Sequence, residues 1–178
     1  EQKTEQEKVY QKAFEFADKS VKNGSGQSIT YVRRAIANGR IALFQGVFSA
    51  PGTVNDVKED CEKAIQLGNG GNYVQALAHY VLGRTHAKIC ENSYLVRLPL
   101  GLGWGDTEEA IRLLEIANKL KPNFRMFMFE LAKAYVEEDE YDKAKELLKK
   151  IEKAPKVDED DDRVLAEAKK LYEEIKNE

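Results

Sequence analysis

The strongest constraint on this chain is a recurring pair, one large and one small residue, set at helical spacing. Between residues 124 and 155, Leu131-Ala132 is followed by Tyr135, then Ala144 and Leu148, and Pro155 closes the stretch. A small residue lets two helices cross closely while large neighbours wedge around the crossing. Residues 73–122 repeat the scheme. Leu82-Gly83 supplies the pair, His86 stands where Tyr135 stands, Ala110, Leu114 and Ala117 continue it, and Pro122 closes it. An earlier, weaker unit covers about 28–68. There Val57, Cys61 and Ala64 fall in register with Ala110, Leu114 and Ala117, and CEKAIQL at 61–67 parallels LEIANKL at 114–120.

This spacing is the tetratricopeptide pattern, in which stacked helix pairs bury a continuous core and form a concave face. The rest of the chain reads as helix too. Val9, Ala13, Phe16, Ala17 and Val21 form an apolar stripe, which Asn23–Gly26 should end through a left-handed glycine. Further helices are expected at about 28–47, halted by Ala50-Pro51-Gly52, and at 54–67, capped by Thr53 or Asn55. Others are expected at about 73–90, 106–121, 124–137 and 140–153, with a last one ending near Lys176. The expected fold is an all-α, tetratricopeptide-like helical-hairpin solenoid of about eight helices, in one domain over 1–178. It comprises divergent N-terminal helices at about 5–50, units at about 28–68, 73–122 and 124–155, and a capping helix at about 160–176. The segment 93–105, SYLVRLPLGLGWG, interrupts the second unit with Gly and Pro.

Charge and composition exclude several functions. Lys and Arg total 28 against 31 Asp and Glu, a formal charge of -3, which argues against a nucleic-acid footprint. No apolar run reaches about 18 residues, so no transmembrane helix is expected. The chain opens EQKTEQEK, without Met or an apolar stretch. That is expected of a chain that has lost a tag or signal peptide, or has been trimmed. Two Cys fit either redox compartment.

His79-Tyr-Val-Leu-Gly-Arg84, the interrupting loop, and Thr107–Phe124, TEEAIRLLEIANKLKPNF, resemble the regulator of microtubule dynamics family. So does the tail, with Pro155, an acidic stretch and a last amphipathic helix to Ile175. The resemblance covers about Val54 to Glu178. Thr85 departs from it, since many relatives carry Trp after Leu-Gly-Arg, and the loop lacks the usual Trp and basic residues at its start. A weaker resemblance links the chain to the T-component of tripartite periplasmic transporters. Bacterial relatives often carry a signal peptide. The resemblance therefore implies a periplasmic or otherwise exported protein, with a cytoplasmic one the alternative. The microtubule role is not carried over, because no residue here carries it.

The residues offer little catalytic material. There is no nucleophile elbow, no H-E-x-x-H and no placeable carboxylate pair. His79, His86 and Cys90 lie on one helical stripe and could suit zinc. The same stripe carries the packing positions, and His79 would stand about 16 Å from Cys90, so packing is the favoured role. Cys61 and Cys90 sit on adjacent helices, where bridging is open but not indicated. The 93–105 segment lacks a phosphate-loop signature. It is expected to be a plug on the helices rather than a lid. Phe124, Phe127, Met128 and Leu131 should face the core, and Asp158–Asp162 should cap the last helix. Arg84 could pair inside the solenoid or meet an acidic peptide terminus. With Arg97 and Trp104 it is the candidate partner-binding set. The expected function is a non-enzymatic interaction or scaffold module. It would need no cofactor and hold a peptide, protein partner or small hydrophobic ligand on its concave face. The alternative is a metal-binding or enzymatic protein using His79, His86 and Cys90.

Overall fold

The computed structural model describes residues 2–178, with side chains from residue 4 onward. Glu1, inside the predicted domain, lies outside the described residues. The fold is all-α. The order is α1 (Gln2–Asn23), α2 (Ser28–Gln45), a 3-10 turn (Val47–Ser49), α3 (Pro51–Leu67), α4 (Gly71–Cys90), α5 (Tyr94–Arg97), a second 3-10 turn (Leu98–Leu100), α6 (Thr107–Leu120), α7 (Arg125–Glu137), α8 (Tyr141–Lys153) and α9 (Asp161–Ile175). Eight of these correspond to the expected helices. The ninth, α5, is a single turn inside the interrupting segment.

Helices α2 and α3, α4 and α6, and α7 and α8 pair as hairpins. Helices α2, α4 and α7 adjoin in sequence, and α9 covers α7 and α8. This is the expected hairpin solenoid. Gly83 shows why a small residue is needed. A methyl group there would meet Leu114 Cγ at 3.0 Å, the Ala110 carbonyl at 3.1 Å and Leu113 Cβ at 3.1 Å. The closeness of α4 to α6 thus depends on that glycine. Around the crossings, Leu82, Leu113, Leu114, Phe127, Leu131, Leu148 and Ile151 are buried. Each such side chain contributes roughly 1.5–3 kcal/mol of transfer free energy. Phe124 and Met128 join this core, as expected.

Three local expectations are corrected. Neither Gly24 nor Gly26 takes positive φ. The Gly24 amide instead donates to the Ser20 carbonyl and closes α1 with ordinary backbone geometry. Pro51 does not halt a helix but opens α3 at its first turn, where its missing N–H costs nothing; α2 has already ended at Gln45. The α1 stripe is also split. Ala17 and Val21 are buried against the body, whereas Val9 and Phe16 are 63% and 61% exposed. Charge also ties α1 down. Arg34 on α2 donates to Asp60 of α3 at 2.7 and 2.9 Å and to Asp18 of α1 at 2.8 Å. The two carboxylates push the Arg34 pKa above its ordinary value, Asp60 contributing most.

Loop contacts set the register of the hairpins. Ser28 starts α2 with its amide donating to Asn69 Oδ1 at 2.8 Å and its hydroxyl to the Ala64 carbonyl at 2.8 Å. The cap of α2 thus comes from the α3–α4 turn, and Gly68 supports that turn at φ 63°. Asp106 caps α6 by accepting from the Glu109 amide at 2.7 Å.

Candidate functional site

Because α2, α4 and α7 adjoin, their free faces form the inner surface of the stack. A concave groove of about 290 Å³ lies there. Its floor is apolar: Ile36 and Leu43 from α2, Leu77 and Val81 from α4, and Phe127 from α7. Gly39 opens the α2 side, and a methyl group at that position would meet nothing within 4 Å. Tyr80 lies in the floor, stacked on Phe127 with centroids 4.6 Å apart. Its hydroxyl is buried, with the Arg84 guanidinium beside it. Burial pushes its pKa up, against the pull of the nearby Arg84 and Arg40 guanidinium charges.

The rim carries both signs. Arg40, Arg84 and Lys88 line it from α2 and α4. Arg84 pairs with Glu130 at 3.4 Å and Lys88 with Glu91 at 2.7 Å. Asp158, Glu159 and Asp160 line it from the loop before α9. That loop is braced from beneath. Buried Arg125 donates to the carbonyls of Ala154 at 2.6 Å and Asp161 at 3.3 Å. Asp161, fully buried, accepts from the amides of Val157 at 2.7 Å and Asp158 at 3.0 Å. Here the expectation of a simple acidic cap is corrected. Asp160 stands at the N-cap position without a side-chain capping bond, and Asp161 folds the preceding loop.

Of the three candidate partner-binding residues, the groove contains Arg84 alone. Arg97 and Trp104 belong to the 93–105 segment, which divides into two halves. Leu102 is fully buried with Ala42, Val47, Val54 and Ile89, and Leu100 and Trp104 pack beside it. Trp104 Nε1 donates to Asn55 Oδ1 at 2.8 Å, and its ring meets His86 edge-on at 4.9 Å. This half is a plug. The other half exposes Tyr94, Leu95, Val96 and Leu98, Leu95 by 81%. Arg97 bonds the Gly105 carbonyl and lies 3.5 Å from Cys90 Sγ, beside a separate, polar cavity of about 390 Å³.

His79, His86 and Cys90 do not converge. His79 Nδ1 bonds the Gln75 carbonyl at 2.8 Å, His86 packs on Trp104, and Cys90 contacts Arg97. Among the described residues, no three His, Cys, Asp or Glu are grouped to hold a metal ion. Both cysteines are free thiols, and burial pushes the Cys61 pKa up. Burial also holds the His86 pKa below the ordinary imidazole value, against the opposing charges of Glu109 and Asp106.

The family model described as Regulator of microtubule dynamics protein 1-3 matches residues 1–176. The chain belongs to this family. Membership reaches further than the motif-bearing part from Val54 onward, because α1 and α2 fall inside the match. No curated protein matches the chain in sequence. Among the described residues, no helix of this family member is long and apolar enough to cross a membrane. Several groove residues carry no sequence signal of their own. Gly39, Leu77 and Tyr80 read as ordinary helix positions, and Glu159 as one acid in an acidic run. Only a groove traced across three helices brings them together.

Proposed function

We propose that the chain is a non-enzymatic interaction module whose concave groove holds a short segment of a partner protein. The observation that carries this reading is the apolar floor of Ile36, Leu77 and Val81, kept open at Gly39 and ringed by charged side chains. An opening of about 290 Å³ lies at the small end of pockets built for drug-sized ligands. It suits one or two apolar side chains of a docked peptide, and affinity would come from shape and burial rather than covalent chemistry. The paired helices of the stack supply the frame. The proposed setting is exported, which a precursor carrying a signal peptide would support and a precursor without one would refute.

A random heptapeptide display library, selected in parallel on the wild-type protein and on Leu43→Glu, tests the groove. Leu43 is partly exposed, so the substitution puts a charge in the groove with little strain on the core. Apolar-centred peptides should be enriched on the wild type alone. Equal enrichment on both proteins, or none on either, would refute the reading.

A further inference from the structure

The groove is charged differently at its two ends, and each end holds one uncommitted charge. Arg40 makes no ion pair or side-chain hydrogen bond among the described residues, although Arg84 and Lys88 nearby are paired. Glu159 is likewise unpaired, whereas Asp160 pairs with Arg163 at 3.3 Å. Both Arg40 and Glu159 are exposed and line the same groove, yet they do not pair with each other.

Their places along the groove follow from the contacts. Arg40 belongs with Tyr80 and Arg84, toward the C-terminal half of α4. The acidic loop belongs at the opposite end. Arg125, the first residue of α7, holds that loop through the Ala154 and Asp161 carbonyls. Phe124, next to Arg125, receives the ring of Tyr73 near the start of α4 at 6.4 Å. From Tyr73 to Arg84, α4 spans about 16 Å at 1.5 Å per residue. An extended peptide covers that span in about five residues at about 3.3 Å each.

We propose that the groove selects an extended segment of about five residues with an apolar centre, an acidic residue at the Arg40 end and a basic residue at the Glu159 end. The apolar centre lies over Leu77 and Val81. The two end charges fix which way the segment lies, because reversing it sets like charges together at both ends. The proposal rests on the groove reading and adds a charge order to it.

The test uses capped synthetic pentapeptides, followed by fluorescence polarisation at low and high salt. The bipolar probe is acetyl-Lys-Leu-Ser-Leu-Glu-amide. Its controls replace both end residues with Glu, with Lys or with Ser. The bipolar probe should bind roughly three- to tenfold more tightly than any control at low salt, and the margin should shrink as salt rises. Arg40→Glu and Glu159→Lys should each weaken the bipolar probe by a similar factor. Both positions are exposed, so circular dichroism should report an unchanged fold. Arg40→Glu should improve binding of the all-Lys control, and Glu159→Lys that of the all-Glu control. Equal binding of all four peptides would overturn the charge order and leave the groove reading standing. So would preference for a single-sign peptide that is indifferent to one of the two substitutions. An uncharged apolar dye displaced by none of the peptides would overturn it in the same way. No groove-dependent binding of peptide or dye would overturn both.

Discussion

Gly39 separates what the groove does from what holds the fold together. It sits inside α2 with ordinary helical φ, and a methyl group built there meets nothing within 4 Å. A helix-interior glycine costs about 0.8–1 kcal/mol relative to alanine, because its unfolded backbone has more freedom to lose. With no clash to offset that gain, Gly39→Ala should stabilise the protein by roughly 0.5–1 kcal/mol. For a chain of this length that raises Tm by about 1–4 °C. Gly39→Leu keeps most of the propensity gain and places an isobutyl group over the groove floor. It should therefore leave Tm at or above the wild-type value and weaken any groove ligand by tenfold or more. The assays are thermal unfolding by circular dichroism and binding of the peptides selected on the wild type. A lower Tm for Gly39→Ala would refute the claim that α2 tolerates a side chain there. Unchanged peptide affinity for Gly39→Leu would refute the claim that ligands lie over this part of α2.

Gly83, inside α4, should behave in the opposite way: Gly83→Ala forces α4 and α6 apart against three contacts near 3 Å. It should destabilise by about 1–2 kcal/mol in urea titration, and a stabilised variant would refute the tight crossing. Leu102→Ala should cost about 2–4 kcal/mol, because Leu102 is fully buried, while Leu95→Ser, at an 81% exposed site, should change stability by less than about 0.5 kcal/mol. Comparable losses would show that the 93–105 segment is not divided into plug and exposed halves. The third concerns pH. The His86 pKa is lowered in the folded state, so below the ordinary imidazole value of about 6.5 the unfolded chain binds a proton that the folded chain resists. Stability should therefore fall as pH drops from about 7 through 6.5 and below, until the folded imidazole also protonates. Comparing Tm of wild type and His86→Phe between pH 7.5 and 5.5 checks this. The variant should lose less over that interval, and an identical loss would remove His86 as the cause.

How far these features could be read in advance depends on the range of the interaction behind them. Leu82-Gly83 with Leu114, and Leu131-Ala132 with Ala144, were legible because close helix crossing leaves a mark at fixed spacing on both helices of a hairpin. Hairpin pairing and most helix limits follow from such marks. Pro51 was ambiguous by chemistry, since the residue that stops one helix is equally suited to start another. Val9 and Phe16 share a stripe with Ala17 and Val21, yet α1 packs on one flank only, so periodicity overstated its burial. The interrupting segment misled in another way. Its apolar residues look alike, but those before Pro99 are exposed, whereas Leu102 is buried and Trp104 half-buried, depending on a surface made by α2, α3 and α4. The groove was the least legible part. Its signature is an absence of atoms above Gly39 and charges brought to one groove from α2 and from a loop more than a hundred residues later. Arg84 could be anticipated because it follows the Leu-Gly pair. Arg97 and Trp104 drew attention for their chemistry, but their partners, the Gly105 carbonyl, Cys90 and Asn55, keep both at the insertion. A binding surface built from what neighbouring helices leave unfilled has no local pattern. It becomes readable once packing positions are assigned and the residues that do no packing are seen to share one face.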